Sequence, residues 1–217
     1  MRIGCFHISL LLKNKIQMNL YLIFYNLVSM VLWANVLYLI LKHLFLDNLP
    51  LALVSESVGL YLYYAQTLAI LELFHSIFRI VRSPFFSTFM QVFSRLFLTW
   101  GILYLVPSVQ QQWGYTLMVT SWSLVEIPRY LFYALKEIDA VPYWLLWLRY
   151  SLFMILYPSG ISGELINIYY ALPTIQLSKF FDLALPNAYN FSFDYYTFVI
   201  IVVLLYVPGS PFLYKHM

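Results

Sequence analysis

Tyr157 and Glu164 stand seven residues apart in the run L-R-Y-S-L-F-M-I-L-Y-P-S-G-I-S-G-E, Leu148 to Glu164. A phenol and a carboxylate so spaced form a pair able to give and take protons, the work of general acid and base catalysis. Their surroundings are apolar enough to lie in a membrane, and a carboxylate in hydrocarbon is costly, so its default reading is functional. Pro158, Gly160 and Gly163 fall between the two groups. They predict a helix interrupted at Pro158-Gly160, aiming side chains into a protein-lined cavity. In unbroken helix, seven residues would set the two Cα atoms about 10 Å apart on one face. Pro158 is compatible with restarting a helix, and the glycines permit close backbone approach.

Other ionisable groups share these apolar stretches. Glu72, His75 and Arg79 fall at i, i+3 and i+7 in Y-A-Q-T-L-A-I-L-E-L-F-H-S-I-F-R, one helical face. Gln91 and Arg95 follow, then Glu126 and Arg129 around Pro128, and Arg149 ahead of Tyr157. Opposite signs are available for pairing. Each has a plainer reading: Arg79, Arg82 and Arg149 sit near expected cytosolic ends, where arginine snorkels to the interface. Glu126 and Arg129 divide between structural pairing and lining a site. A lone histidine such as His75 is more often a packing residue than a base. No His, Cys, Asp and Glu set has zinc-like spacing, so no metal is expected. Most of the 20 Tyr and 18 Phe belong to interfacial belts and packing.

The elements that carry these groups are membrane helices. The 217 residues are 63% hydrophobic, 20% aromatic and only 10% charged, with a mean hydropathy of +0.79. Soluble domains average about 45–50% apolar and about 25% charged. The expectation is an all-α integral membrane protein, one domain over 1–217, with six transmembrane helices near 20–41, 58–78, 85–106, 113–135, 143–171 and 195–213. Residues 1–19 are expected as a cytosolic segment, 20–213 as the bundle and 214–217 as a cytosolic tail. The short uncharged connection from Pro107 to Gln112 makes the third and fourth helices antiparallel neighbours; longer connections lie near 42–57 and 172–194, the second with Pro173, Pro186 and Asn187.

Orientation follows from Lys and Arg near the helix ends. Arg2, Lys13, Lys15, Arg79, Arg82, Lys136 and Lys215 fall on one side, Lys42 and Lys179 on the other. Both termini are therefore expected in the cytosol. The apolar run from Ile3 to Leu12 is short and is followed by Lys13, Asn14 and Lys15 rather than a cleavage site. The first span reads as an uncleaved anchor, and no lipidation pattern is present. The net charge of +3, scattered between spans, excludes nucleic-acid binding. Cys5, the single cysteine, excludes an internal disulfide.

The wording of several stretches is more specific than their hydropathy. Y-P-S-G-I-S-G-E (Tyr157 to Glu164), preceded by W-L-R-Y (Trp147 to Tyr150), resembles the signature of the very-long-chain (3R)-3-hydroxyacyl-CoA dehydratases, a group also known as protein-tyrosine-phosphatase-like proteins. L-E-L-F-H-S (Leu71 to Ser76), S-W-S-L-V-E-I-P-R-Y (Ser121 to Tyr130) with Tyr133, and Y-L-x-x-Y-N (Tyr21 to Asn26) are further matches. The likeness runs from about residue 20 to 172. It implies a six-span enzyme of the endoplasmic reticulum membrane with Tyr157 and Glu164 as its catalytic pair. The implied reaction is loss of water from a (3R)-3-hydroxyacyl-CoA to give a trans-2-enoyl-CoA, the third step of fatty-acid elongation. The tail departs from the family: it ends Y-K-H-M, where members often carry a longer lysine-rich one.

The residues suit that chemistry. One group must take the C2 proton beside the thioester, and another must protonate the departing C3 hydroxyl. Which of Tyr157 and Glu164 meets C2 is open; Arg129 or Arg149 is a candidate to stabilise a phenolate. Arg79, Arg82, Glu126, Arg129, Tyr130, Arg149 and Gly160 are candidate substrate-binding residues. Arg79, Arg82 and Lys136 on the cytosolic face are candidates for the CoA phosphates. No redox cofactor is expected, because dehydration moves no electrons overall. The implied partners are the condensing enzyme, the ketoacyl-CoA reductase and the enoyl-CoA reductase of the same cycle, with membrane lipid around them. The phosphatase reading is rejected: Cys5 is followed six positions on by Leu11, where a phosphate-binding arginine would be needed. A non-catalytic scaffold of the elongation complex is the alternative. A transporter would show two related halves, and the Pro-Gly break occurs once.

Overall fold

The computed structural model describes residues 2–186 and 190–216, with side chains over 17–186 and 190–211. Asn187 lies outside the described residues, as do the side chains of Arg2, Cys5, Lys13, Lys15 and Lys215. The described residues are mainly helical, in seven α-helices: α1 (Arg2–Leu41), α2 (Val54–Leu68), α3 (Ile70–Ile77), α4 (Phe85–Leu96), α5 (Trp113–Lys136), α6 (Tyr143–Ser178) and α7 (Tyr195–His216). Wider π turns extend α1 over Lys42–Leu46 and α4 over Phe97–Leu103, and short 3-10 turns cover Leu51–Leu53 and Pro107–Gln111. Among the described residues there is no strand, only an isolated antiparallel bridge between Leu183 and Phe193.

These helices follow the six apolar stretches, with α2 and α3 sharing the second across a kink at Ala69. The buried residues of α1 are Leu22, Tyr25, Asn26, Ser29, Trp33, Val36 and Ile40, a stripe recurring every three to four positions. That stripe faces the bundle, as the 3.6-residue period requires. Asp194 caps α7, accepting the Thr197 backbone N–H at 2.9 Å. Lys179 ends α6 in the left-handed region, at φ 48°.

The expected interruption of the fifth helix is corrected. α6 runs unbroken through both Pro158 and Pro173 for 36 residues. A proline removes one i to i−4 bond and crowds the carbonyl four residues back, and here the helix on either side is held by packing against α5. Hydroxyls occupy nearby carbonyls: Ser162 Oγ donates to Pro158 O at 2.8 Å and Ser159 Oγ to Leu156 O at 3.1 Å.

α5 is the central helix, packed chiefly on α6 and α1. The contact with α6 is close because Gly114 and Gly163 face each other across it. A Cβ on Gly163 would lie 2.8 Å from Met118 N and 2.9 Å from Gly114 O. The expected pairing of the third and fourth helices is looser, since α5 gives its broad faces to α1 and α6 and meets α4 mainly through long side chains. Fully buried Trp33, Leu98, Ile102, Leu103, Tyr115, Met118 and Ile168 form the core.

Outside the core the usual order is reversed. Leu177, Ile155, Val207 and Phe45 are 84%, 73%, 74% and 71% exposed, while Glu126 and Gln66 are 1% exposed. Large contiguous apolar surface marks a membrane or partner interface. By length and composition alone, among the described residues one helix, Gln17–Leu46 at a mean hydropathy of 1.8, suffices to cross a membrane, and Tyr195–Pro211 is a shorter apolar helix.

Candidate active site

Because α6 is continuous, Tyr157 and Glu164 are two turns apart on one side of it, about 10 Å along the axis. Both reach α7. The Tyr157 hydroxyl donates to Ser210 O at 3.1 Å, and one turn back along α7 the Tyr206 hydroxyl donates to Glu164 Oε2 at 2.8 Å. The other carboxylate oxygen, Oε1, accepts Trp122 Nε1–H of α5 at 2.9 Å. Glu164 is 8% exposed, so its carboxylate is buried and oriented from two sides. Tyr157 is half-buried and within electrostatic reach of that charge. The pair thus occupies a seam where α5, α6 and α7 meet.

Beside this seam lies a chain of charges. Arg95 of α4 pairs with Glu126 Oε1 and sits over the Trp122 ring, 5.4 Å from its centroid. Glu126 Oε2 accepts Arg129 Nε–H at 2.7 Å. Arg129 then forks onto Glu72 of α3, with Nη1 to Oε2 at 3.0 Å and Nη2 to Oε1 at 2.8 Å, the bidentate geometry a guanidinium favours. The Tyr130 hydroxyl donates to Glu72 Oε1 at 2.5 Å. Two arginines and two glutamates alternate in sign, so the series is neutral and each buried charge has an opposite neighbour, as burial demands. Tyr21 Oη and His75 Nε2 are bonded at 2.7 Å, and Tyr25 stacks edge-on against the same imidazole at 4.9 Å.

The remaining expected residues scatter around this centre. Arg79 leaves the face it was expected to share with Glu72 and His75: α3 ends at Ile77, and Arg79 is exposed in a left-handed turn at φ 53°. A helical spacing argument fails where the helix has already stopped. Arg82 and Lys136 are exposed too. Arg149 lies 4.4 Å over the Phe132 ring and donates to the Tyr133 hydroxyl at 3.4 Å. Gly160 faces Ser121 and Trp122 at ordinary contact distance, 3.7 and 3.8 Å for a Cβ placed there. Among the described residues no group of three or more His, Cys, Asp or Glu could hold a metal.

Sequence reasoning missed Trp122 and Tyr206, which hold the carboxylate. It also gave Arg95 no role in the site. Trp122 stands inside the S-W-S-L-V-E-I-P-R-Y run, so its neighbours carried a signal; Tyr206 is one tyrosine among twenty.

Residues 66–217 match the family model described as protein tyrosine phosphatase-like protein, PTPLA. The very-long-chain (3R)-3-hydroxyacyl-CoA dehydratase PASTICCINO 2 of Arabidopsis thaliana is 46% identical over 201 residues, covering 91% of this chain and 89% of that protein. PASTICCINO 2A of Oryza sativa subsp. japonica is 46% identical over 199 residues, covering 91% and 89%. Very-long-chain (3R)-3-hydroxyacyl-CoA dehydratase 2 of Homo sapiens is 41% identical over 197 residues, covering 91% and 77%. No solved structure matches the chain. The chain belongs to the protein tyrosine phosphatase-like, PTPLA, family.

Proposed function

We propose that this protein is a hydro-lyase that dehydrates very-long-chain (3R)-3-hydroxyacyl-CoA to trans-2-enoyl-CoA, the third step of the elongation cycle. The relatives named above support the activity. The observation that carries the site is the buried Glu164 carboxylate, oriented by Trp122 and Tyr206 two turns from Tyr157 on one side of α6. In the reaction a proton leaves C2, the C2–C3 double bond forms, and the C3–O bond breaks as the hydroxyl takes a proton and departs as water. One member of the pair accepts the first proton and the other donates the second. Exchange of a proton between them afterwards restores the starting state. A carboxylate has about four lone-pair sites, and two neutral donors leave room on Glu164 for the substrate's proton.

The bundle spans the endoplasmic reticulum membrane six times as one domain over 1–217, with residues 1–19 and 214–217 in the cytosol. Arg79, Arg82 and Lys136, exposed at one end, meet the CoA phosphates. Glu126, Arg129, Tyr130, Arg149 and Gly160 line or brace the acyl-CoA site, and the condensing enzyme and the two reductases hand substrate on and off. Purified protein supplied with a long-chain (3R)-3-hydroxyacyl-CoA tests the reading. Turnover should fall by about 10²–10⁴-fold in Tyr157→Phe and Glu164→Gln with the helical signal retained. Full activity in either folded variant would remove that residue from the chemistry, and an inert, folded wild type would favour the scaffold reading. Neutralising Arg79 and Arg82 together should raise KM and leave kcat; an unchanged KM would take them out of the CoA site.

A further inference from the structure

Immediately beyond Glu164, a groove of about 460 Å³ runs between α6 and α7, lined by Leu165, Ile168 and Leu172 on one wall and Ile200 and Val203 on the other, with Trp113 of α5 beside them. Its size falls within the roughly 300–1,000 Å³ usual for ligand sites, and its lining is mainly apolar, with Tyr169 and Tyr170 also part of it. Both of its walls adjoin the Glu164 seam along the chain. Leu165 follows Glu164 directly on α6, and Val203 precedes Tyr206 by three residues, one turn of α7.

The order of groups along α6 has a direction. Tyr157 comes first, Glu164 two turns later, and then a mainly apolar wall from Leu165 to Leu172 in which Tyr169 and Tyr170 also line the groove, about 10 Å of helix. A 3-hydroxyacyl-CoA has the same order: a polar headgroup and thioester, the reacting C2 and C3, then an alkyl tail. With C2 and C3 between Tyr157 and Glu164, a tail laid the other way along α6 would leave the groove empty and push the CoA into it. The antiparallel run of α7 agrees, since Ser210 faces Tyr157, Tyr206 faces Glu164 and Val203 faces the groove.

We infer that the α6–α7 groove holds the acyl chain of the substrate, and that Val203 and Ile200 set how well a long chain is accepted relative to a short one. This rests on the dehydratase reading. A bilayer lipid tail shares the chemistry of the occupant, and the test separates the two sources. Full-length Val203→Trp is compared with wild type on a long saturated (3R)-3-hydroxyacyl-CoA and a six-carbon one, and the ratio of the two kcat/KM values is read. Taken within one sample, the ratio is independent of the fraction of folded protein. Filling the groove should lower it by about tenfold or more, since even single methylenes in an apolar pocket discriminate by about tenfold. A ratio within about twofold of wild type would overturn the inference and assign the groove to lipid. Wild-type protein labelled with a long-chain 3-hydroxyacyl-CoA carrying a photoreactive diazirine on its tail gives a second readout free of any folding defect. Label on residues 165–172 or 200–203 supports the groove, and label confined to other helices overturns it. A wild type that dehydrates neither substrate removes the dehydratase reading, and this inference with it. That outcome is distinct from an active enzyme whose chain-length ratio does not move.

Discussion

Glu72, Glu126 and Glu164 sit among the packed helices, and their partners separate their roles. Glu72 and Glu126 are committed to guanidinium groups, Glu72 to a two-pronged contact with Arg129 and Glu126 to Arg95 and Arg129. Glu164 receives its two hydrogen bonds from an indole and a phenol. Donors of that kind fix where a carboxylate points without tying it to a cation, which is what a group that must exchange a proton with a passing substrate requires. Tyr206 is on this account a positioning residue that acts through Glu164. A hydrogen bond to a charged group contributes about 1.5–3 kcal/mol, so Tyr206→Phe should lower kcat by roughly ten- to a hundredfold while KM stays near wild type. A variant that raises KM and spares kcat would show that Tyr206 serves substrate binding instead of orienting the carboxylate.

At the scale of the helices, the sequence reported where helices lie better than how long they run or where they break. The span expected over 20–41 belongs to the 40-residue α1, and that over 58–78 is shared by α2 and α3. Six apolar stretches bounded by charges and prolines became helices, the second of them split at Ala69, and among the described residues one helix, Gln17–Leu46, is long and apolar enough to cross a membrane. The Pro158-Gly160 break did not follow, because the same glycines serve a different end. Gly163 lets α6 sit against the α5 backbone, and a glycine chosen for close packing reads in sequence like one chosen for a bend. Trp122 and Tyr206 each lie 42 residues from Glu164, in opposite directions. No local pattern reports a pairing that only the stacking of α5, α6 and α7 creates. The two glycines should therefore part company on substitution. Gly163→Ala forces a Cβ into backbone atoms at 2.8 and 2.9 Å, whereas Gly160→Ala meets its neighbours at 3.7 Å or more. Overpacking of that kind costs about 1–3 kcal/mol, so Gly163→Ala should melt several degrees below wild type in detergent and Gly160→Ala close to it. Equal melting temperatures would mean that the α5–α6 crossing is slack, and activity lost by Gly160→Ala at full stability would put substrate against that face.

Among the described residues polarity is largely turned inside out. Glu126, Gln66, His75 and Glu164 are buried, and many leucine, isoleucine, valine, tyrosine and phenylalanine side chains are exposed. In water such a surface would drive association; in a bilayer it is matched to the acyl chains around it. α6, at 36 residues, is about 54 Å long against the roughly 30 Å of a hydrocarbon core, so an α6 that crosses the bilayer as proposed would tilt or stand partly clear of it. On the proposed six-span reading the charges would set which way the bundle faces: Arg79, Arg82 and Lys136 mark the turns at one end, Lys42 and Lys179 the other. On the function proposed above, an active site fed by cytosolic acyl-CoA would open toward the first end, and the chain direction of α6, from Tyr143 through Tyr157 to Glu164, would carry the substrate inward. Single cysteines in a Cys5→Ser background test this in sealed microsomes with a membrane-impermeant maleimide. Ala140→Cys, in the exposed turn between α5 and α6, should label at once, and Ala184→Cys, between α6 and α7, only after the vesicles are opened. The reverse pattern would invert the bundle and put the CoA site on the wrong side of the membrane. Immediate labelling at both positions would place the two turns on the same side, and with that an α6 that does not traverse the bilayer.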